Sequence, residues 1–167
     1  VYNCVQKKDF MSLLELDNTY YFMRLVDETR SASTRSGIQF LRCVSAFIHN
    51  DEYLDFYSKN IKSGHAKGVY PLSYALGCNS MKITKERSGL MLLYGFVVSV
   101  IGAALRLGIL QHIEGQKLID EMKPVILSTV KKNINRPLDS MWQFIPQLDI
   151  IQMPVSYTHL RAHETSQ

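Results

Sequence analysis

The chain has 167 residues, of which 46% are apolar and 20% are charged, and its formal net charge is +4 at pH 7. These values are typical of one globular domain and exclude a disordered or collagen-like chain. Three cysteines, Cys4, Cys43 and Cys78, form no Cys-x-x-Cys pair. They therefore predict neither a zinc site nor a disulfide framework, but buried or free thiols in a reducing compartment.

The positive charge is unevenly distributed. Residues 1–65 carry eight basic and eight acidic side chains, whereas residues 66–136 carry ten basic and four acidic ones. The basic side chains are scattered along helix-like segments, and Lys131-Lys132 is the densest point. Nucleic-acid binding would favour a clustered stripe, so a solvated surface or one facing an acidic protein partner is the better interpretation.

The first 63 residues predict uninterrupted helices, because they contain one glycine and no proline. The segment at 10–23 mixes apolar and polar residues, and Asp17-Asn18 is expected to cap the next helix. A long helix is predicted over residues 25–49. Gly37 in its middle costs about 1 kcal/mol relative to alanine, so we expect another backbone to cross closely there.

Two shorter helices come next. Asn50-Asp51 is expected to cap a helix over residues 52–61, which ends at Ser63-Gly64. Residues 69–76 predict another short helix that Gly77 closes.

Residues 88–105 contain no charged side chain and lie between Arg87 and Arg106. Their length is near the lower limit of about 17 residues for a membrane-spanning helix. Gly95, Ser99 and Ala103 recur every four residues, a pattern found both in membrane helix pairs and in tightly packed soluble helices. Because no other segment approaches a span, a buried helix is the preferred interpretation.

The remaining elements are also helical. Thr84 is expected to cap the long apolar helix and Leu107-Gly108 to end it. Residues 113–130 form an amphipathic pattern in which Pro124 should kink or split the helix. Pro137 and Pro146 are expected to bound a last short helix. No alternation of period two appears, so the predicted fold is an all-α, single-domain helical bundle with a long buried central helix.

The sequence offers few candidate catalytic or metal-binding residues. His159 and His163 have the i,i+4 spacing of metal ligands, but no apolar pattern around them would hold a site rigid, and we predict no metal site. Acidic residues such as Glu28 and Asp51 lie among arginines or at helix caps, where solvation or ion pairing is expected rather than acid–base catalysis. No phosphate-binding loop or nucleophile motif is present. We therefore predict no enzyme activity, catalytic residue or cofactor.

Four segments carry a resemblance to a known family. They are Glu28-Thr-Arg30-Ser-Ala-Ser33-Thr-Arg-Ser-Gly37, Gly64-His65 followed by Leu76-Gly77, Ala103-Ala104-Leu105-Arg106-Leu107-Gly108 followed by Gly115-Gln116, and Pro146-Gln-Leu148-Asp149-Ile150 followed by Met153. In this order they resemble the urease accessory protein F family (UreF). The resemblance implies one all-helical UreF-like domain over residues 1–153, without the N-terminal part of the family. Residues 154–167 depart from the family and are expected to be a non-native or disordered tail.

The resemblance also implies a function. UreF-like proteins act as scaffold and regulator in urease maturation, coupling a nickel-carrying accessory GTPase (UreG) to the urease apoprotein together with the accessory protein D/H. We therefore expect these three partners and a homodimer, with nickel and GTP bound by partner proteins, in the cytoplasm and without membrane or nucleic acid. A small single-span membrane helical interaction protein is the alternative, and an enzyme with an unrecognised site is a third.

The same segments supply candidate residues. Arg106 is expected to contact a partner carboxylate or to cap its own helix, and Asp149 to cap a turn or contact a partner. Glu28 and Arg30 are expected to face a partner or, slightly preferred, to pair with neighbouring helices. The full expected partner-binding set is Glu28, Arg30, His65, Arg106, Gln116 and Asp149, and the expected structural set is Gly37, Gly77, Gly108, Gly115, Pro146 and Met153.

Overall fold

The computed structural model describes residues 1–137 and 140. These residues contain helices but no strand, which confirms the all-α prediction. They fall into two compact units, Val1–Met81 (the N-terminal unit) and Lys82–Ser140 (the hairpin unit). The helices are α1 (Tyr2–Lys7), α2 (Phe10–Met23), α3 (Asp27–Ser45), α4 (Glu52–Lys62), α5 (Tyr70–Ser80), α6 (Lys85–Arg106) and α7 (His112–Asn133). The predicted boundary at residue 153 and the expected helix between Pro137 and Pro146 lie outside the described residues.

The N-terminal unit contains a closed apolar core. Side chains from α2, α3, α4 and α5 meet there, together with residues of the loop before α5. The buried members are Leu13, Leu41, Val44, Leu54, Tyr57, Ala66, Val69, Leu72 and Leu76. Removing these side chains from water is the main contribution to the stability of this unit.

Two aspartates cap the N-termini of helices in the N-terminal unit. Asp9 accepts a hydrogen bond from the backbone N–H of Ser12 at 3.0 Å, and Asp51 accepts from the N–H groups of Tyr53 and Leu54 at 3.0 Å. Each side chain thus satisfies donors that the first turn of its helix leaves free. The predicted cap at Asp51 is confirmed, and the expected cap at Asp17 is wrong, because Asp17 lies in the middle of α2.

Helices α3 and α5 approach each other closely because Gly77 of α5 faces α3. A Cβ at Gly77 would lie 2.6 Å from the Phe40 ring and 3.0 Å from Val44. The expectation that Gly77 closes a helix is wrong: α5 continues to Ser80, and Gly77 packs inside it. The small residue serves the packing of the two helices rather than the end of one of them.

The hairpin unit consists of α6 and α7, which run antiparallel. Gly115, near the start of α7, faces Ile101 and Leu105 near the end of α6, so that a Cβ there would meet both side chains. Thr84 caps α6 as predicted, its hydroxyl accepting from the N–H of Arg87 at 3.4 Å. Pro124 does not split α7, which is continuous through it. Because proline has no backbone N–H, the carbonyl of Asp120 has no helical donor. Pro124 is exposed, so water can hydrogen-bond to that carbonyl.

The long apolar helix is present, but the expectation that it is buried is wrong for the described chain. Ser88 and Ile101 are the buried residues of α6. Met91, Tyr94, Phe96, Val98 and Val100 are all exposed. Within the hairpin unit only α7 packs against α6, and a single neighbour covers only one face of a helix.

Candidate partner-binding surfaces

Residues 63–69 connect α4 to α5, and a buried carboxylate on α2 holds this loop. Oδ1 of Asp17 accepts from the backbone N–H of Val69 at 3.0 Å, and Oδ2 accepts from the N–H groups of Lys67 and Gly68. Asp17 is fully buried, so these charge-assisted hydrogen bonds replace its hydration. The loop backbone is therefore fixed from α2.

A tyrosine extends this network to α4. The buried Tyr57 hydroxyl donates to Oδ1 of Asp17 at 2.5 Å. Burial first, and then the adjacent charge of Asp17, raises the pKa of Tyr57 above its usual 10.0, so the phenol remains a donor at neutral pH. One buried network thus joins α2, α4 and the loop.

Helix α3 contacts the same loop through two residues of the first family-like segment. The hydroxyl of Ser33 accepts from the N–H of Tyr70 at 3.2 Å. A Cβ at Gly37 would overlap the carbonyl oxygen of Gly68 and lie 2.8 Å from the nitrogen of Tyr70. The expected close backbone crossing at Gly37 is confirmed. The Ser33–Gly37 segment therefore lies against residues 68–70, at the end of the loop whose start carries Gly64-His65.

His65 is exposed on this fixed loop. Its Nδ1 lies 2.8 Å from the Ser63 hydroxyl, and its carbonyl accepts from the side-chain amide of Asn18 at 3.3 Å. Beside it is a groove of about 650 Å³ lined by Met11, Leu14, Glu15, Asn18, Thr19, Phe56, Asn60 and His65. The arrangement can present an imidazole next to a partly apolar surface, which suits contact with another protein.

Glu28 and Arg30 lie in the first turn of α3. The Arg30 guanidinium donates to the carbonyl of Arg24 at 3.2 Å, pairs with Asp27, and lies 5.5 Å from the centre of the Tyr21 ring. Arg30 is thus engaged by residues of its own unit. Glu28 is exposed.

The third family-like segment forms the turn of the hairpin unit. The N–H of Gly108 donates to the carbonyl of Leu105 at 3.1 Å, and that of Ile109 donates to Ala104 at 2.9 Å. Gly108 has φ +71°, so these bonds form a left-handed Schellman cap. The predicted end of the long helix at Leu107-Gly108 is confirmed.

Arg106 and Gln116 lie at this turn end. Both side chains are exposed, Arg106 in the last turn of α6 and Gln116 in the second turn of α7. Gly115, next to Gln116, faces α6, and a Cβ there would lie 3.1 Å from Ile101. The structure therefore assembles these two candidates at one end of one hairpin, whereas Asp149, Pro146 and Met153 lie outside the described residues.

The hairpin unit also exposes apolar side chains that the sequence pattern predicted to be core. Met91, Tyr94 and Val98 follow helical spacing along α6. A groove of about 360 Å³ is lined by Leu90, Met91, Tyr94, Lys123, Ile126 and Leu127. At its rim Lys123 pairs with Asp120 at 2.8 Å, which raises the pKa of the lysine and lowers that of the aspartate. An apolar groove with a charged rim is suited to a protein partner.

The Asp17–Tyr57 network was not predicted from the sequence. A signal for it exists, because Asp17 lies four residues after Leu13 and so shares the buried face of α2. A carboxylate on such a face requires a buried partner. What the sequence does not show is which distant backbone supplies the donors.

The described residues contain no group of three or more histidine, cysteine or acidic side chains placed to hold a metal ion. The cysteines are free thiols, with Cys78 buried and Cys43 exposed.

The sequence is similar to one known protein family and to several individual proteins. The family model described as UreF matches residues 1–123. The urease accessory protein UreF of Trichodesmium erythraeum (strain IMS101) is 26% identical over 152 residues, covering 91% of this chain and 65% of that protein. The protein of the same name from Sporosarcina pasteurii is 25% identical over 160 residues, covering 96% of this chain and 79% of that protein.

A third relative, urease accessory protein UreF 1 of Brucella melitensis biotype 1, is 24% identical over 152 residues, with 91% of this chain and 61% of that protein covered. The chain thus spans less than two thirds of the length of the Trichodesmium and Brucella proteins. No solved structure matches.

Proposed function

This chain belongs to the UreF family, and we propose that it acts in urease maturation as a scaffold and regulator. In this proposal it couples a nickel-carrying accessory GTPase (UreG) to the urease apoprotein, together with the accessory protein D/H. The observation that carries the proposal is the family match over residues 1–123. The relatives' common name, urease accessory protein, supports the assignment to maturation.

The surfaces of the two units support a binding role. The N-terminal unit has the fixed loop with His65 beside a groove of about 650 Å³. The hairpin unit exposes the apolar stripe of α6 and, at its turn, Arg106 and Gln116. Large exposed apolar side chains are typical of surfaces that other proteins cover. We assign partner contact to these surfaces.

In this proposal the chain is not an enzyme and holds no cofactor. Nickel and GTP are bound by the partner proteins, and the contribution of this chain is to place those partners. Such a role requires shape and satisfied polar contacts around an apolar patch rather than titrating catalytic groups. We further propose that the chain acts in the cytoplasm as a homodimer.

The test is size-exclusion chromatography with light scattering on this chain, alone and mixed with the accessory GTPase and the D/H protein, without detergent. Co-elution in a complex of fixed stoichiometry is the expected result. A helical chain that elutes without either partner would contradict the scaffold role.

The same experiment addresses the membrane alternative. Helix α6 is long and apolar enough to cross a bilayer, with a mean hydropathy of 2.0, but the family assignment gives a membrane role no support. A chain that stays in solution only with detergent would contradict the scaffold proposal and favour a membrane span.

A further inference from the structure

Six cationic side chains gather at the open end of the hairpin unit, opposite its turn. We call this group the basic end; its members are Lys82, Lys85, Arg87, Lys131, Lys132 and Arg136. Two contacts show that the start of α6 meets the end of α7. Lys85 Nζ donates to Oδ1 of Asn135 at 2.6 Å, and a Cβ at Gly89 would lie 3.5 Å from Val130.

The basic end is not neutralised by carboxylates within the described residues. Neither of the two ion pairs found there, Arg30–Asp27 and Lys123–Asp120, involves one of the six. Of the described residues at 82–87 and 128–137, Glu86 is the sole acidic one. With one carboxylate against six cations in these two ranges, the field at this end of the hairpin is positive.

Helix stability explains only part of the basic end. Lys131 and Lys132 lie in the last turn of α7, where cations interact favourably with the helix dipole. Lys85 and Arg87 lie in the first turn of α6, where the dipole is positive and cations are unfavourable. Lys85 and Arg87 therefore oppose the stability of α6 while they increase the positive potential.

The composition around the basic end favours an acidic protein over other anionic partners. Among the described residues at 82–87 and 128–137 there is no aromatic side chain on which a base could stack. None of the large exposed apolar side chains lies within these two ranges either, and only Met81 and Leu127 flank them, so a lipid surface would find few side chains to anchor. Asn133 and Asn135 add neutral amides, which can bind carboxylates and backbone groups.

We propose that the basic end is a docking surface for a carboxylate-rich surface of a partner protein. It lies at the opposite end of the hairpin from Arg106 and Gln116; α6 has 22 residues, so the two ends are about 30 Å apart. The proposal deepens the scaffold role, on which it rests for the identity of the partner. The two ends of the hairpin give a scaffold two separate places to bind.

The first experiment needs no accessory protein. Fluorescence anisotropy measures binding of a labelled peptide of about ten glutamates to this chain and to the triple variant Lys85→Glu, Arg87→Glu and Lys132→Glu. The control variant Lys7→Glu, Lys59→Glu and Lys62→Glu makes the same change in net charge on the N-terminal unit. We expect binding to weaken about tenfold or more in the first variant and less than about twofold in the control.

Three results would overturn the proposal: no binding of the glutamate peptide, equal weakening by both variants, or binding about tenfold tighter to a thymidine oligonucleotide of similar charge. The last result would indicate a nucleic-acid surface. Circular dichroism of both variants checks that the helices are retained.

The second experiment separates this proposal from the scaffold role. The same two variants are mixed with the accessory GTPase and the D/H protein at low salt and at about 300 mM salt. Loss of one partner by the basic-end variant alone supports docking there. A complex that both variants keep contradicts docking while the scaffold role stands. If the unchanged chain binds neither protein but the glutamate peptide still binds at the basic end, the scaffold role fails and the basic end stands as a site for acidic surfaces.

Discussion

The N-terminal unit and the hairpin unit are both helical, but they use their apolar residues in opposite ways. In the N-terminal unit a set of side chains from four helices and a loop is buried around Tyr57 and Leu76. Among the described residues of the hairpin unit the buried apolar side chains are Ile101, Ile126 and Val130, while Phe96 and Val100 are exposed. A similar apolar content therefore produces a closed core in one unit and an open surface in the other.

The difference arises from the number of neighbours that each helix has inside its own unit. α3 packs against α4 and α5, so more than one of its faces is covered. α6 packs against α7 within the hairpin unit, and the rest of its circumference is open. We infer that stability resides mainly in the N-terminal unit and that the hairpin unit is the more available for binding.

The largest expected effect concerns core truncation. Leu76 is fully buried and Phe96 is 66% exposed. Leu76→Ala should lower the free energy of unfolding by about 2–5 kcal/mol, because it leaves a cavity. Phe96→Ala should change it by less than about 0.5 kcal/mol. Urea unfolding followed by circular dichroism measures both, and equal effects would remove the distinction between the units.

Two glycine-to-alanine variants should give the next largest difference in stability. Gly37→Ala should destabilise the chain by about 1–3 kcal/mol, because the new methyl group overlaps the backbone of Gly68. Gly95→Ala on α6 meets open space and should stabilise it by about 0.5–1 kcal/mol through helix propensity. Thermal unfolding midpoints that move in the same direction for both variants would contradict the close packing at Gly37 or the open space at Gly95.

The Tyr57 hydroxyl provides a pH test. Because its pKa is raised in the folded state, its contribution to stability is complete below the unfolded value of 10.0 and is lost as the pH rises above it. Tyr57→Phe should cost about 1–2 kcal/mol at neutral pH and should reduce the loss of stability between about pH 8 and about pH 11. The loss should not vanish, since the pKa values of Tyr53, Tyr70 and Tyr74 are also raised. Urea unfolding at both pH values measures the change, and an unchanged loss in the variant would contradict the network.

A smaller effect is expected at the rim of the α6–α7 groove. Asp120→Asn removes the exposed pair with Lys123, and because water screens such a pair, the free energy of unfolding should hardly change. The pKa of Lys123 should fall toward its usual value, which NMR titration of its side chain would show. A large loss of stability would mean that this rim supports the hairpin more than its exposure indicates.

Local rules predicted much of the fold from the sequence. The caps at Asp51 and Thr84 and the helix end at Gly108 depend on contacts within a few residues. The close crossing at Gly37 was predicted from the helix-propensity cost of a glycine in mid-helix. The errors at Asp17 and Gly77 have one physical cause. Their roles depend on a loop and a helix that are distant in sequence, and periodicity within one segment carries no information about such partners.

The exposed face of α6 was missed for a related reason. An apolar helix has the same sequence pattern whether its neighbours belong to its own unit, to another protein or to a membrane. Arg106 and Gln116 were identified through the family resemblance, and the structure adds that they share one end of the hairpin. The basic end required the pairing of α6 with α7, since its two halves are separated by more than forty residues along the chain.

Hydrogen–deuterium exchange with mass spectrometry tests the central division between the two units most directly. In the chain alone, amides of α3 and α5 should exchange most slowly, because they surround the closed core. On addition of the accessory GTPase and the D/H protein, α6 and α7 should gain the most protection. Protection that is gained only in the N-terminal unit, or a hairpin unit that is already the slower to exchange in the free chain, would contradict this account.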